Sequence, residues 1–317
     1  MRLASERETL ERLIQCLKIM QLNSVPISPV DIPELNNFNI SLFVKRDDLQ
    51  HPIVSGNKLY KLFYHLQRCQ QLGVKTLLTF GGAYSNHLHA TAYAANQLGI
   101  QAVAIVRGEQ IIPLNPTLKD CTDWGMILEP VSRQDYKLKQ NSAGVKAVLD
   151  RYPNAYVIPE GGGDLLGVKG AQKILQGVDQ SQFDYIVCPC GTGTTLSGII
   201  SKSQPHIHVV GIPVLKGANW MVEEVQTWLN KLKEDGETAG YNNWSINTEY
   251  HFGGYGKVTD ELSDFIVDME RQYNLPLDPI YTAKCVYGIL DLAKKGVLKQ
   301  GSRILFIHTG GLQGARP

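Results

Sequence analysis

The sequence has no block of like charge and no long apolar run. Its 31 basic residues nearly balance 30 acidic ones, which leaves a formal net charge of +1. Proteins that bind nucleic acid or anionic membranes usually carry clustered basic charge, so we expect neither kind of partner. No apolar stretch approaches the ~20 residues that a membrane-spanning helix needs. We therefore expect a small-molecule ligand.

Cysteine motifs are missing as well, since no C-x-x-C pair occurs. The six cysteines are Cys16, Cys69, Cys121, Cys188, Cys190 and Cys285. They lie mostly in apolar segments, so we expect small buried side chains rather than disulfides or a metal site. The N-terminal region lacks the apolar core of a secretion signal and carries acidic residues that a transit peptide avoids. This predicts a cytoplasmic location.

What the sequence does contain is an alternation of apolar strands and amphipathic helices. Strands are predicted at 42–46, 76–80, 102–106, 126–128, 156–159, 184–189, 206–213 and 303–308. Helices are predicted at 7–22, 57–73, 85–98, 116–124, 132–152, 168–176, 195–203, 220–233, 259–273 and 282–295, with a proline-bearing loop at 26–33 and an irregular connection at 241–256. Such alternation implies parallel pairing with helices on both faces. We predict an α/β fold of two open, twisted, mainly parallel sheets.

The segment 55–62 places two lysines at the start of a helix. Apolar residues recur downstream at helical spacing, and Ser55 or Asn57 can cap the helix. Lys58 and Lys61 then lie in the first turn, where the helix dipole disfavours cations unless solvent or an anion offsets the field. A solvated helix start and an anion site both fit this segment.

The loop 191–195, Gly-Thr-Gly-Thr-Thr, lies between a predicted strand and a helix. Backbone N–H groups and the helix dipole favour an anion at such a position. No Lys-Ser or Lys-Thr pair follows, which excludes a Walker-type loop. A dinucleotide fold is disfavoured because the third glycine comes late, at Gly198, and the next strand ends without an acidic residue. A phosphate site and a structural turn remain open.

The segment 81–87 is a second turn from strand to helix. Its glycines allow a ligand to approach the backbone, and Ser85, Asn86 and His87 supply a hydroxyl, an amide and an imidazole. Capping of the next helix is the structural alternative. Because α/β sheets present ligand groups at the C-terminal ends of their strands, we interpret the turn as a candidate ligand site.

Six motifs in this order resemble the pyridoxal-phosphate enzymes that include D-cysteine desulfhydrase and 1-aminocyclopropane-1-carboxylate (ACC) deaminase. They are Gly56-Asn57-Lys58 with Lys61, Gly81-Gly82 with Ser85-Asn86-His87, the loop 191–195, Gly253-Gly254-Tyr255-Gly256, Asp278-Pro279-Ile280-Tyr281 and Ile307-His308-Thr309-Gly310-Gly311. The resemblance covers essentially the whole chain. It implies the fold type II architecture, similar to tryptophan synthase β, with pyridoxal 5'-phosphate as cofactor.

The resemblance also implies roles for the matching residues. Lys58 would bind the cofactor aldehyde covalently and later move protons on the substrate carbon. Asn86 would contact the cofactor's 3-hydroxyl, and Thr309 would face its pyridine nitrogen. The phosphate would be held by Lys61 with Thr192, Gly193, Thr194 and Thr195.

On the substrate side, the resemblance implies a small amino acid. Its carboxylate would be received by Ser85 and its neighbours Tyr84, Asn86 and His87. Tyr255 and Tyr281 match the family's active-site tyrosines, and Ser85 is a further catalytic candidate. Without the resemblance, the residues alone favour a buried aromatic whose hydroxyl is satisfied by backbone for each tyrosine.

Two positions favour the desulfhydrase branch. In ACC deaminases a glutamate follows the tyrosine that matches Tyr281, and a leucine stands at the place of Thr309. This chain has Thr282 and Thr309 there. A hydroxyl at the pyridine nitrogen can donate without charge, which suits β-elimination. We predict conversion of D-cysteine to pyruvate, ammonia and hydrogen sulfide, with ACC deamination or a related deamination as the alternative.

Tyr60 and Tyr84 depart from the family pattern, which usually has Arg and Gln at these places. We expect both near the substrate, where two phenols would make the pocket smaller and less polar. A catalytically silent homologue that binds pyridoxal phosphate is therefore a non-enzymatic alternative. A nicotinamide oxidoreductase is disfavoured by the missing acidic residue.

The glycine run at 161–163 suggests a return from one domain to another. We predict a large domain of residues 1–62 and 159–317 and a small domain of 63–158. The cofactor is expected in the cleft between them. The resemblance implies a homodimer.

Overall fold

The computed structural model describes residues 21–109, 112–237 and 243–315. The helix predicted at 7–22 lies, up to residue 20, outside them. The chain divides into two compact units. The larger unit comprises Asn23–Lys61 and Asp164–Ala315, and the smaller unit comprises Leu62–Gly163.

The larger unit contains a six-stranded sheet with the order β1-β2-β10-β7-β8-β9. Its strands are β1 (Ile27–Val30), β2 (Ser41–Lys45), β7 (Tyr185–Cys190), β8 (His208–Pro213), β9 (Trp244–Ile246) and β10 (Arg303–Ile307). Only β1 pairs antiparallel among the strands described here. The central strands are apolar runs buried on both faces, as parallel sheets require.

Helices of the larger unit cover this sheet. They are α1 (Pro33–Asn36), α2 (Asn57–Gln71, which continues into the smaller unit), α7 (Leu165–Gln172), α8 (Thr194–Lys202), α9 (Met221–Glu234), α10 (Asp260–Tyr273) and α11 (Thr282–Lys294). The helix α11 has ten buried residues and packs into the main apolar core together with β10. This packing therefore holds the N-terminal end of α11 firmly, next to residues of the candidate site described below.

The smaller unit contains a four-stranded parallel sheet with the order β5-β4-β3-β6. Its strands are β3 (Thr76–Gly81), β4 (Gln101–Arg107), β5 (Ile127–Val131) and β6 (Tyr156–Val157). Its helices are α3 (Asn86–Leu98), α4 (Pro116–Asp123), α5 (Arg133–Leu138) and α6 (Ala143–Arg151). The predicted α/β class with two mainly parallel sheets is confirmed.

Three predictions about single elements are wrong. The continuous helix predicted at 132–152 is broken between α5 and α6, where Lys139 has a φ of 52° and Ser142 caps the second helix by accepting from the Val145 N–H at 3.0 Å. The proline-bearing loop contains β1, and the irregular connection contains β9. Both are short edge strands, and proline is tolerated in a strand at a sheet edge.

Within the described ranges, no helix combines the length and apolarity needed to cross a membrane. The described cysteines, Cys69, Cys121, Cys188, Cys190 and Cys285, are buried, as predicted, and each is a free thiol. No group of three or more metal-ligating side chains occurs among the same residues.

Candidate active site

Lys58 lies in the first turn of α2 with its side chain half-buried. Its Nζ donates to Asn57 Oδ1 at 2.6 Å and lies 5.8 Å from the centre of the Tyr281 ring. Burial lowers the pKa of Lys58 from 10.5 to about 8, although the negative charge of Asp278 opposes this shift. A neutral amine, the form that attacks aldehydes, is therefore accessible close to neutral pH.

This lowered pKa makes a prediction about the apoenzyme. Only the neutral amine reacts with formaldehyde and borohydride, so methylation of Lys58 should rise as the pH passes about 8 instead of 10.5. The measurement is mass spectrometry of the labelled peptide across pH, with exposed Lys202 as the reference in the same sample. A midpoint that stays near 10.5 would contradict the desolvated environment.

Lys61 follows one turn later and is only 3% exposed. Burial lowers its pKa to about 7, and repulsion from Lys58 adds to the shift. No hydrogen-bond or ion-pair partner of its amine occurs among the described residues. A buried ammonium without a partner costs several kcal/mol, so this position favours a bound anion.

Gly56 brings the start of α2 against the end of β10. Its φ is +64°, and a Cβ atom there would lie 1.9 Å from the Thr309 carbonyl oxygen. The Asn57 N–H donates to the same oxygen at 3.3 Å. Two motifs separated by about 250 residues in sequence are thus in contact. The Thr309 hydroxyl itself has no hydrogen-bond partner in the described part of the chain.

The glycine-threonine loop joins β7 to α8. Gly193 is the N-cap of α8, with a φ of 74°, and no side chain caps the helix. The Thr192 and Thr194 hydroxyl oxygens lie 2.9 Å apart. Thr195 Oγ1 accepts from Asn57 Nδ2 at 2.9 Å, which places the loop beside the segment of Lys58 and Lys61. Such a helix start with adjacent hydroxyls is suited to a phosphate.

Both predicted tyrosines belong to the same region of the larger unit. A Cβ at Gly191 would lie 3.2 Å from the Tyr281 ring, so this ring packs on the glycine-threonine loop. The rings of Tyr255 and Tyr281 meet edge to face, with 6.1 Å between their centres. Tyr255 is 39% exposed. The larger unit therefore brings together Lys58, the loop, Tyr281 and Tyr255.

Asp278 fixes the start of α11, a role that sequence reasoning missed. Its Oδ2 accepts from the N–H groups of Ile280 at 2.9 Å and Tyr281 at 3.0 Å. Its Oδ1 accepts from the N–H and the hydroxyl of Thr282, both at 2.8 Å. In the sequence, the Asp-Pro pair before the predicted helix was the feature that could have indicated this role. Asp278 thus holds the backbone of Tyr281 and engages the Thr282 side chain.

The turn that contains Tyr84 to His87 belongs to the smaller unit. Ser85 caps α3 by accepting from the Leu88 N–H at 3.2 Å, as the structural alternative predicted. His87 is 2% exposed, and its Nε2 lies 2.9 Å from Thr79 Oγ1, so its ring packs inside the unit. This placement does not support substrate binding by His87. Tyr84 is 62% exposed, and Asn86 begins the helix.

The expectation that Tyr60 shapes the substrate pocket is wrong. Tyr60 is 2% exposed, and its hydroxyl donates to Asp47 Oδ1 at 2.9 Å. Lys45 and Gln50 donate to the same hydroxyl, each at 3.2 Å. Burial and the Asp47 charge raise the pKa of Tyr60 far above its usual value, so the phenol stays protonated. Tyr60 belongs to a buried polar cluster instead.

The larger unit fits the cofactor that the resemblance implies. Pyridoxal phosphate needs an amine for its aldehyde, a cation and backbone donors for its phosphate, and a polar group at its ring nitrogen. Lys58 supplies the amine, and Lys61 supplies a buried amine that a phosphate would keep protonated and that has no partner among the described residues. The uncapped start of α8 supplies N–H donors. Thr309 supplies a hydroxyl.

Comparison with known proteins agrees with this fit. A family model described as "Pyridoxal-phosphate dependent enzyme" matches residues 24–310. A protein of Pyrococcus horikoshii with the provisional name 1-aminocyclopropane-1-carboxylate deaminase is 34% identical over 284 residues, which are 86% of this chain and 85% of the relative. The mitochondrial bifunctional D-cysteine desulfhydrase/1-aminocyclopropane-1-carboxylate deaminase of Arabidopsis thaliana is 30% identical over 314 residues, 91% of this chain and 76% of that protein.

A solved structure shows the same fold. The crystal structure of an ACC deaminase homologue superposes with a TM-score of 0.79 at 28% identity and covers 95% of this chain and 96% of its own. Because the family model spans most of the sequence and these relatives match along nearly its full length, the chain belongs to the pyridoxal-phosphate dependent enzymes, as a lyase or deaminase of the group that includes ACC deaminase and D-cysteine desulfhydrase.

Proposed function

We propose that the enzyme removes sulfide and ammonia from D-cysteine: D-cysteine and water become pyruvate, ammonia and hydrogen sulfide. The observation that carries this choice is the state of Thr282. This residue stands where the ACC deaminases have a glutamate, and its N–H and hydroxyl are both engaged by Asp278. A carboxylate that could act on the ACC ring is therefore absent from this position.

Lys58 is proposed to bind the cofactor aldehyde and, once released, to act on the substrate α-hydrogen as a general base. The cofactor, when bound, withdraws electrons from the α-carbon and so makes this hydrogen acidic. The Lys58 amine suits the task because burial keeps a neutral form accessible near pH 8. Thr309 would offer the cofactor's ring nitrogen a neutral hydroxyl donor, which suits rapid loss of the thiol.

The remaining site residues are proposed to bind and orient. Lys61 and residues 192–195 hold the phosphate, because Lys61 is a buried amine that an anion would keep protonated and the hydroxyls of Thr192 and Thr194 adjoin the uncapped helix start. Tyr281 packs beside Lys58 and contacts Tyr255 edge to face. Contacts of Ser85 with the substrate carboxylate and of Asn86 with the cofactor rest on the family resemblance.

Replacing Lys61 with methionine is expected to weaken cofactor binding about 10- to 100-fold. The reason is that a hydrogen bond to a charged group contributes ~1.5–3 kcal/mol, and a buried amine without a partner would gain all of it from the phosphate. Fluorescence titration of the apoenzyme with pyridoxal phosphate measures the dissociation constant. Lys202→Met, at the exposed C-terminal end of α8, the helix whose N-terminus is proposed to bind the phosphate, should leave it unchanged. Equal dissociation constants for wild type and Lys61→Met would show that Lys61 does not bind the phosphate.

The proposed activity is tested by release of keto acid, ammonia and sulfide from both enantiomers of cysteine, serine and chloroalanine and from ACC, with Lys58→Ala as the blank. We expect the highest kcat/KM with D-cysteine. Conversion of ACC to 2-oxobutanoate at a higher kcat/KM would instead identify an ACC deaminase. A bound cofactor without any turnover would identify a silent homologue.

The assembly and location remain predictions. We propose a homodimer from the family resemblance, to be tested by light scattering of the purified holoenzyme. A mass near 35 kDa, that of one chain, would contradict it.

A further inference from the structure

Lys284 is a lysine in the interior of the larger unit. It lies on α11, has no exposed surface and is among the largest fully buried side chains. Its Nζ donates to the carbonyl oxygens of His251 at 3.0 Å and Gly254 at 2.9 Å. No carboxylate of the described residues accepts from it. Because lysine is almost never fully buried without a partner, this placement calls for an explanation.

The two carbonyls belong to the loop His251–Gly256, which has an unusual backbone. Phe252 has a φ of 51°, Gly253 of 88°, Gly254 of 125° and Gly256 of 71°. Such conformations persist only where surrounding contacts enforce them. The internal bonds are few: the Gly253 N–H donates to His251 Nδ1 at 3.0 Å, and the Gly254 N–H donates to the His251 carbonyl at 2.9 Å. The Lys284 ammonium supplies two further bonds, both charge-assisted.

The loop and the helix each present one of the two tyrosines. Tyr255 follows Gly254 directly in the loop, and Tyr281 is the N-cap of α11, three residues before Lys284. The two rings meet edge to face at 6.1 Å between their centres. The lysine thus links the element that carries Tyr255 to the element that carries Tyr281, about one helical turn from the contact.

We propose that Lys284 is a positioning residue: its ammonium organises the loop His251–Gly256 by binding two of its carbonyls and so places Tyr255 against Tyr281 in the active site. The catalytic part of this statement rests on the proposed function. The structural part, a cation that organises a glycine-rich loop, stands without it.

The charge of Lys284 is retained at neutral pH. Burial lowers its pKa to about 8, and the carboxylate of Asp278 acts against this shift. Below this pH the side chain is an ammonium whose charge is met by carbonyl dipoles and by Asp278 nearby. The carbonyl pair is therefore a cation site, and another cation of the same shape should be able to fill it.

The test uses Lys284→Ala, which leaves Cβ and removes three carbons and the amine, the atoms of n-propylammonium. Hydrogen exchange of the amides in residues 252–257 is measured in the apoenzyme by mass spectrometry. We expect exchange to be at least about tenfold faster in Lys284→Ala and to return toward the wild-type rate with n-propylammonium, but not with 1-propanol. In the holoenzyme, kcat for D-cysteine should fall and be rescued in parallel, relative to wild type at the same amine concentration.

Two further variants complete the test. Lys284→Met keeps most of the side-chain volume but has no hydrogen-bond donors, so loop exchange should be fast and should not be rescued by n-propylammonium. This variant also replaces Lys284→Ala if the alanine variant does not fold. Lys294→Ala, exposed on the same helix, should match wild type. Wild-type exchange rates in Lys284→Met, or equal rescue by 1-propanol, would show a packing role only and overturn the proposal. Normal loop exchange in a wild-type enzyme that does not consume D-cysteine would overturn the proposed function alone.

Discussion

Lys58→Ala is expected to lower turnover of D-cysteine at least about 10³-fold. Removal of a general base alone typically costs 10²–10⁴-fold, and Lys58 is proposed to bind the cofactor as well. Its amine is half-buried beside Tyr281, so a ligand can reach it. Burial lowers its pKa to about 8, so the neutral amine is available near that pH. The measurement is the initial rate of pyruvate release at saturating pyridoxal phosphate.

Two matched variants separate the chemical role of Lys58 from its charge and from cofactor binding. Lys58→Arg keeps a positive charge, but a guanidinium cannot be neutral in a protein, so this variant should be as inactive as alanine. Lys61→Met removes the neighbouring buried amine and should keep most of the activity once cofactor saturates. Activity in Lys58→Arg close to wild type would show that position 58 needs only a charge, which would refute its role as nucleophile and base.

The fold class was predictable because buried parallel strands are continuous apolar runs separated by amphipathic helices. The errors arose where a local signal pointed the wrong way. Three prolines at 26–33 indicated a loop, yet Ile27–Val30 pairs with β2 at the edge of the sheet. The break after α5 depends on a positive φ at Lys139, which its residue type does not favour.

The candidate site was predictable motif by motif, because its groups lie in glycine-containing loops at strand ends. Which motifs come together in the folded chain depends on the order of the strands in the sheet. Gly56 reaches Thr309 because β2 and β10 are parallel neighbours, with Lys45 opposite Ile307. Motif order along the chain contains no such information, so only the family resemblance suggested the arrangement.

Tyr60 and Lys284 show what sequence reasoning could not supply. Tyr60 follows a functional motif, but its burial depends on Lys45 and Asp47, which approach from β2 and the turn after it. Lys284 stood in an apolar helix between Ala283 and Cys285, which was a visible signal of a buried charge. Its partners are backbone carbonyls, and these have no signature in the sequence.

Gly56→Ala is expected to destabilise the folded state by about 3–5 kcal/mol. A Cβ there would lie 1.9 Å from the Thr309 carbonyl oxygen, and the neighbouring atoms, Thr309 C at 2.2 Å and Gly310 N at 2.6 Å, are also backbone. These atoms belong to the segment that follows β10 and cannot turn aside as a side chain would. A φ of +64° adds ~1–2 kcal/mol for a residue with a side chain.

Gly217→Ala separates these two contributions, because Gly217 has a φ of 71° and nothing within 4 Å of a Cβ atom. It should lose only ~1–2 kcal/mol, the cost of the backbone conformation alone. Urea unfolding followed by circular dichroism measures both free energies, and equal losses would deny a specific contact at Gly56. The contact also joins the helix of Lys58 to the segment of Thr309, the two groups proposed to hold opposite parts of one cofactor. Gly56→Ala protein that still folds should therefore bind pyridoxal phosphate more weakly, whereas Gly217→Ala should bind it as wild type does.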